Sequence, residues 1–307
     1  MNIIIIGATS NICKIRVFKN LELLKHKINH LYCVSRISAQ QWNDIPHSPF
    51  INSATYIQCD NYETLRNIID ENTYIYVCIP PSRYSSIISF FNSTNGKKLI
   101  LEKPLALNYE QYKSLTFTPK IYLMDHFILK RDIIHLVNQP HGIINKIHFD
   151  FLYEHDVENR LTYFDQIGFF IDMFQSHLLS ILYLLLKDQL SNLLDYDVNI
   201  IRKQYRPYGG KNSEADTYFY LTLSGPIEIT MEIGKSIKPK KQIFVNDKQY
   251  IINNYEDEYY IFFNKIDKYI NLLPMQELFW KITHHVQKYF KPMEYYPKLI
   301  LANESHV

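Results

Sequence analysis

The segment Gly7-Ala8-Thr9-Ser10-Asn11-Ile12-Cys13 follows an apolar run and opens a helical one. At such a strand-to-helix turn a pyrophosphate can approach backbone N–H groups at the start of the helix. Ser10 stands where the second glycine of a dinucleotide fingerprint falls, and Ser10 or Asn11 would also serve as an ordinary N-cap. A second apolar run ends in Val34-Ser35-Arg36, with an arginine where many nucleotide-binding folds carry a carboxylate for the ribose hydroxyl. An arginine there suits a 2′-phosphate, and Arg16 in the first helix would reinforce it, so the pair favours NADP over NAD. Taken singly, His177 in an apolar helix reads as a core histidine, and Asp125-His126 as the cap of a following helix. Five α-helical positions turn about 140°, so spacing alone does not put Asp172 and His177 on one face. His26 and His30 have i,i+4 spacing without a nearby third ligand, and the adjacent His284-His285 point apart, so no metal site is expected.

The elements that must position these groups are legible in the pattern. The first part of the chain alternates strand-like runs (Asn2–Ile6, Leu31–Val34, Thr55–Gln58, Tyr74–Ile79, Lys98–Leu101, Ile121–Met124) with helical stretches (about Asn11–Lys25, Tyr62–Ile69, Arg83–Phe91, Tyr109–Leu115). That alternation predicts a doubly wound parallel α/β sheet of Rossmann type over residues 1–126. Residues 127–307 read as an α+β domain with a mostly antiparallel sheet. Its strands are expected at Lys146–Tyr153, Asn199–Gln204, Thr217–Leu223, Ile227–Ile233, Gln242–Val245 and Gln249–Ile252. A single long apolar helix is expected over Tyr163–Lys187, a hairpin turn at Asn246-Asp247, a loop over Arg206–Ser213, and closing helices at about Glu256–Leu272 and Met275–Phe290.

Composition bounds the rest. The 307 residues are 47% hydrophobic and 21% charged, enough for a sizeable core in one large or two ordinary domains. Lys and Arg number 33 against 31 Asp and Glu, a formal charge of +2 that gives no nucleic-acid footprint. No apolar run approaches the roughly 20 residues of a membrane span, and Met1–Gly7 enters a strand-like run without a basic leader. The expectation is a cytoplasmic protein that binds neither nucleic acid nor membrane. The four cysteines, Cys13, Cys33, Cys59 and Cys78, lack CxxC spacing and read as reduced, buried thiols. With only 8 glycines, Gly7, Gly168 and Gly234 mark places where the backbone demands one.

Several stretches, in order, resemble the glucose-6-phosphate dehydrogenase family. They are the opening turn Ile5–Ile12, the PP turn Ile79-Pro80-Pro81-Ser82-Arg83-Tyr84, Leu101-Glu102-Lys103-Pro104 and Asp125-His126-Phe127-Ile128-Leu129-Lys130. The helix Tyr163-Phe164-Asp165-Gln166-Ile167-Gly168 running on to Asp172 and His177, the strand Glu232-Ile233-Gly234-Lys235, and the ending around Trp280 and Lys291–Tyr295 complete the set. The resemblance implies oxidation of a sugar phosphate at C1, with His177 as general base and Asp125 orienting it. It implies that His126 and Lys130 bind the phosphate, that Lys103 and Lys235 flank the sugar, and that Asp172 accepts hydrogen bonds from ring hydroxyls. Gly7, Thr9, Ser10, Arg16, Arg36, Pro80, Pro81 and Lys103 would hold NADP, with NAD as the alternative, and the assembly would be a homodimer. The chain departs from the pattern at Phe127 in place of a tyrosine, Ser10 and Ala106 in place of glycines, Asn159-Arg160-Leu161-Thr162 in place of a glycine-rich approach, and in a shorter second domain. Two other readings remain open: a dehydrogenase of a different sugar, and a non-catalytic protein that keeps the fold for binding or regulation. The second is disfavoured because His177, Asp125, Lys103, Lys130 and Lys235 are all present.

Overall fold

The computed structural model describes residues 1–155, 157, 161–206, 215–253 and 256–297. The predicted loop lies, from residue 207 onward, outside the described residues, as does Asn159-Arg160. Two compact units form: Met1–Leu129 with Tyr255–Met275, and Lys130–Asn254 with Gln276–Val307.

In the first unit β1 (Asn2–Ile6), β2 (His30–Ser35), β3 (Thr55–Gln58), β4 (Thr73–Val77), β5 (Lys98–Glu102) and β6 (Ile121–Met124) pair in parallel. Their order is β3-β2-β1-β4-β5-β6, the Rossmann order, which reverses direction between β1 and β4. Every residue of β4 and β5 is buried, as helices on both faces require. The helical stretch after β1 is built in pieces: a π-type turn Cys13–Val17, an α-helix Phe18–Leu23 and a short 3₁₀ turn. All four cysteines are unbridged and buried, Cys33 within β2 and Cys59 and Cys78 one residue past β3 and β4.

The stretch Tyr255–Met275, read from sequence as part of the second domain, belongs to this first unit. Hydrogen bonds explain why. Asn271 Nδ2 donates to the Ile121 carbonyl (2.8 Å) and its Oδ1 accepts from Leu123 N (3.2 Å), so one side chain covers the open edge of β6. The helix Glu258–Asn264 is shorter than expected, and it is tied to the first helix by Asn20, which reaches Glu256 O (3.0 Å) and Tyr260 N (3.2 Å).

The second unit holds β7 (Lys146–Tyr153), β8 (Asp197–Arg206), β9 (Tyr218–Ser224), β10 (Glu228–Lys235), β11 (Lys240–Val245), β12 (Lys248–Ile251) and β13 (Glu294–Pro297). Their order is β12-β11-β7-β10-β9-β8-β13; β7 with β10 and β8 with β13 are parallel, the other pairs antiparallel. Alternation in β9 sends Phe219, Leu221 and Leu223 to the core, where Phe170 meets Phe219 edge-on at 5.2 Å. Asn246, with φ 52°, turns the hairpin between β11 and β12 as expected.

The long apolar helix is not one helix. An α-helix Leu161–Phe170 breaks at Gly168 (φ 71°), a π-helical run Ile171–Leu178 follows, and an α-helix Leu179–Leu186 and a 3₁₀ stretch Lys187–Asp195 complete it. By length and composition this stretch would pass for a membrane span, contrary to the expectation that no run comes close. Its most apolar window is 78% buried inside the protein, which is what a core helix needs.

Candidate active site

The turn after β1 is built around Gly7. Its N–H and that of Ala8 donate to the Val34 carbonyl at the end of β2 (2.9 and 3.1 Å), and Cys78 N donates to Ile6 O (2.7 Å). Gly7 has φ 85°, and a Cβ there would stand 2.4 Å from the Cys78 carbonyl oxygen, so only glycine lets the turn approach β4. Ser10 fills the N-cap role: its Oγ accepts from Cys13 N at 3.3 Å.

A cavity of about 240 Å³ opens beside this turn, lined by Gly7, Thr9, Ser10, Ser35, Arg36, Tyr62, Pro80 and Arg83 among others. It lies at the carboxyl ends of β1, β2 and β4, where the strand order reverses and open α/β sheets take their ligands. Polar side chains and two guanidiniums beside a glycine turn, in one concavity, fit a dinucleotide. Gly7, Thr9, Ser10, Arg36 and Pro80 line this one cavity, while Pro81 is buried, its carbonyl accepting from Gln111 Nε2 (3.1 Å). Arg16 is not among the lining residues; its guanidinium lies 3.7 Å from Glu258, which draws it away from the cavity. Arg83, the last residue of the turn Pro81–Arg83, lines the cavity and was not singled out in the sequence.

Farther along the same edge of the sheet, β5 ends at Glu102 with Lys103 just past it, and Asp125-His126 directly follow β6. Lys103 Nζ donates to Asp125 Oδ2 (2.9 Å), with side chains 1% and 0% exposed. Burial lowers the Lys103 pKa and the Asp125 carboxylate opposes that. Asp125 Oδ1 accepts from Phe127 N (3.0 Å), which is the helix-cap geometry, and Asp125 N donates to Tyr269 OH (2.9 Å). Glu102 Oε1 accepts from Tyr76 OH and from Tyr259 OH (3.0 Å). Burial pushes its carboxyl up to about 7, with the two phenols pulling the other way. His126 lies near-parallel to Tyr259 at 6.3 Å and edge-on to Phe127 at 5.3 Å. Phe127 is buried and offers no hydroxyl.

In the second unit Lys130 is buried, and its carbonyl starts the helix Arg131–Asn138 by accepting from Ile134 N (2.9 Å). The π-helical run carries both Asp172 and His177. Bonding of i→i+5 type leaves residues five apart closer in angle than the roughly 140° of an α-helix. Asp172 Oδ1 accepts from Tyr163 OH (2.7 Å), and His177 is 7% exposed. Three residues before the run the helix breaks at Gly168, where a Cβ would stand 2.6 Å from Asp216 Oδ1. Asp216, unnoticed in the sequence, sits just before β9 and caps the new segment: Oδ1 accepts from Phe169 N (3.0 Å) and Phe170 N (3.4 Å), and its carbonyl also accepts from Phe169 N (3.1 Å). Burial raises its carboxyl to about 6. Lys235, at the end of β10, is buried with its ammonium 5.1–5.4 Å from the ring centres of Phe169, Tyr153 and Phe164. Gly234 before it packs where a Cβ would meet Ile237 and Tyr218 at 2.7 Å.

Residues 136–204, which include Asp172 and His177, match the family model described as glucose-6-phosphate dehydrogenase, C-terminal domain. Residues 1–118 match a model described as oxidoreductase family, NAD-binding Rossmann fold. Glucose-6-phosphate 1-dehydrogenase of Buchnera aphidicola (subsp. Schizaphis graminum) is 29% identical over 154 residues, 42% of this chain and 31% of that enzyme. Over these residues the chain is similar to glucose-6-phosphate dehydrogenases. The match spans about a third of the length of such curated dehydrogenases. The fold agrees: the Mycobacterium avium glucose-6-phosphate 1-dehydrogenase structure superposes with TM-score 0.73 at 16% identity, covering 97% of this chain and 94% of that one. The fold is shared more widely, since a Corynebacterium glutamicum myo-inositol dehydrogenase gives 0.66 at 14% identity, covering 94% and 95%.

Proposed function

We propose that the chain oxidises glucose 6-phosphate at C1 to 6-phosphogluconolactone with NADP. The observation that carries this reading is the dehydrogenase-family match over 136–204, with Asp172 and His177 inside it on one π-helical run. The nucleotide, bound along the Gly7 turn, supplies the hydride acceptor. His177 takes the proton from the C1 hydroxyl as the C1 hydride departs, so the C1–O bond becomes the lactone carbonyl. Asp125 orients the imidazole and stabilises its protonated form. His126 and Lys130 hold the phosphate, Lys103 and Lys235 flank the sugar, and Asp172 accepts from its hydroxyls. The same reading makes the protein a homodimer of the cytoplasm.

One observation favours a second substrate. Phe127 is buried against His126 where the family motif has a tyrosine, which removes one donor from the phosphate subsite and favours a sugar with weaker phosphate contacts. The test is turnover of NADP or NAD with a panel of sugars and sugar phosphates, beside His177→Asn. Glucose 6-phosphate should give the highest kcat/KM, and the mutant should lose about 10²–10⁴-fold, as for a general base. Turnover confined to another sugar would move the substrate. No turnover despite nucleotide binding would replace the enzyme with a binding protein.

A further inference from the structure

Two arginines, Arg36 and Arg83, line the nucleotide cavity. Arg36 follows β2 and Arg83 ends the turn Pro81–Arg83 after β4. These strands flank β1 on either side, so the two side chains come to the Gly7 turn from opposite directions. Their neighbours set them apart from other arginines. Arg16 is near Glu258, Arg66 is held by Glu63, and Arg202 lies over Phe290, whereas neither Arg36 nor Arg83 has an ion pair or side-chain hydrogen bond among the described residues. Both are exposed, and both act on the Tyr62 hydroxyl, opposing the upward push of burial on its pKa. Asp60 is the carboxylate in the same lining, so the cavity carries an excess of positive charge.

We propose that Arg83 is the second half of a two-arginine clamp on the 2′-phosphate of NADP, facing Arg36 with the Tyr62 hydroxyl beside them. This rests on the nucleotide reading above. A phosphate monoester carries about −1.5 to −2 charge near neutral pH, and two planar guanidiniums meet it with paired charge-assisted hydrogen bonds. NAD offers a hydroxyl at that position. It leaves the two guanidiniums facing each other without an anion, so the clamp discriminates by repulsion as well as attraction.

The test measures binding of adenosine 2′,5′-bisphosphate and of 5′-AMP to the full chain by calorimetry, for the wild type, Arg36→Ala, Arg83→Ala, Arg83→Lys and the double alanine variant. Thermal melting checks that each is folded. Each single alanine variant should weaken the bisphosphate by about tenfold or more and leave 5′-AMP within about twofold. The double variant should bind both probes alike, and Arg83→Lys should fall between. Equal loss of both probes in Arg83→Ala, or no loss, would overturn the clamp while leaving the nucleotide site standing. Wild-type protein that binds neither probe would overturn the nucleotide site and the clamp with it.

Discussion

Glu102 shows how burial and hydrogen bonding set a single proton's affinity. Its side chain is buried beneath the sheet's carboxyl edge, with Tyr76 and Tyr259 as donors and Asp125 close enough to raise its pKa further. The carboxyl rises from the usual 4.5 to about 7, so the folded chain holds this proton more tightly than the unfolded one. The contribution to stability is therefore full below pH 4.5 and declines as pH rises through 7, by up to about 3 kcal/mol. Urea unfolding at pH 5 and pH 8 should show the wild type losing more stability than Glu102→Gln over that interval. Equal losses would place the titration elsewhere. Glu102 was legible only as part of a motif. The donors that define its chemistry come from 26 residues before it and 157 after, and no local pattern announces them.

Among elements, the broken helix carries the most. An apolar run over Tyr163–Lys187 announces a buried helix, and it is buried. Apolar periodicity does not reveal the change from α to π geometry, because a helix packed all round shows no polar face to mark a shift of register. The scarcity of glycine gave the one clue, at Gly168. Gly168→Ala puts a Cβ 2.6 Å from Asp216 Oδ1 at φ 71°, and should cost about 1–3 kcal/mol. It should also lower kcat, since the break sets where His177 starts. Asp216→Asn keeps an acceptor for Phe169 N and Phe170 N and should cost less than Gly168→Ala. Melting temperature and kcat for the two variants check both statements. A Gly168→Ala protein as stable and as active as the wild type would contradict this account of the break. The strands were easier to read: β6 and β7 begin and end where their runs do, because a largely buried strand writes its limits in side chains.

At the scale of the whole molecule, the order of sheets was legible and the assignment of every segment was not. Alternating strands and helices gave the parallel sheet, and clustered later strands gave the mixed one. Residues 256–275 escaped because an amphipathic helix does not name its partner. It is Asn271, Tyr269 and Tyr259 that tie this segment to β6, Asp125 and Glu102. Hydride transfer from C1 is open to a label-transfer experiment. Purified protein would be incubated with NADP and glucose 6-phosphate carrying deuterium at C1, and the nicotinamide product analysed by mass spectrometry. One deuterium is expected in the reduced nucleotide, lost with the turnover in His177→Asn. Reduced nucleotide without deuterium, or none formed although NADP binds, would contradict it.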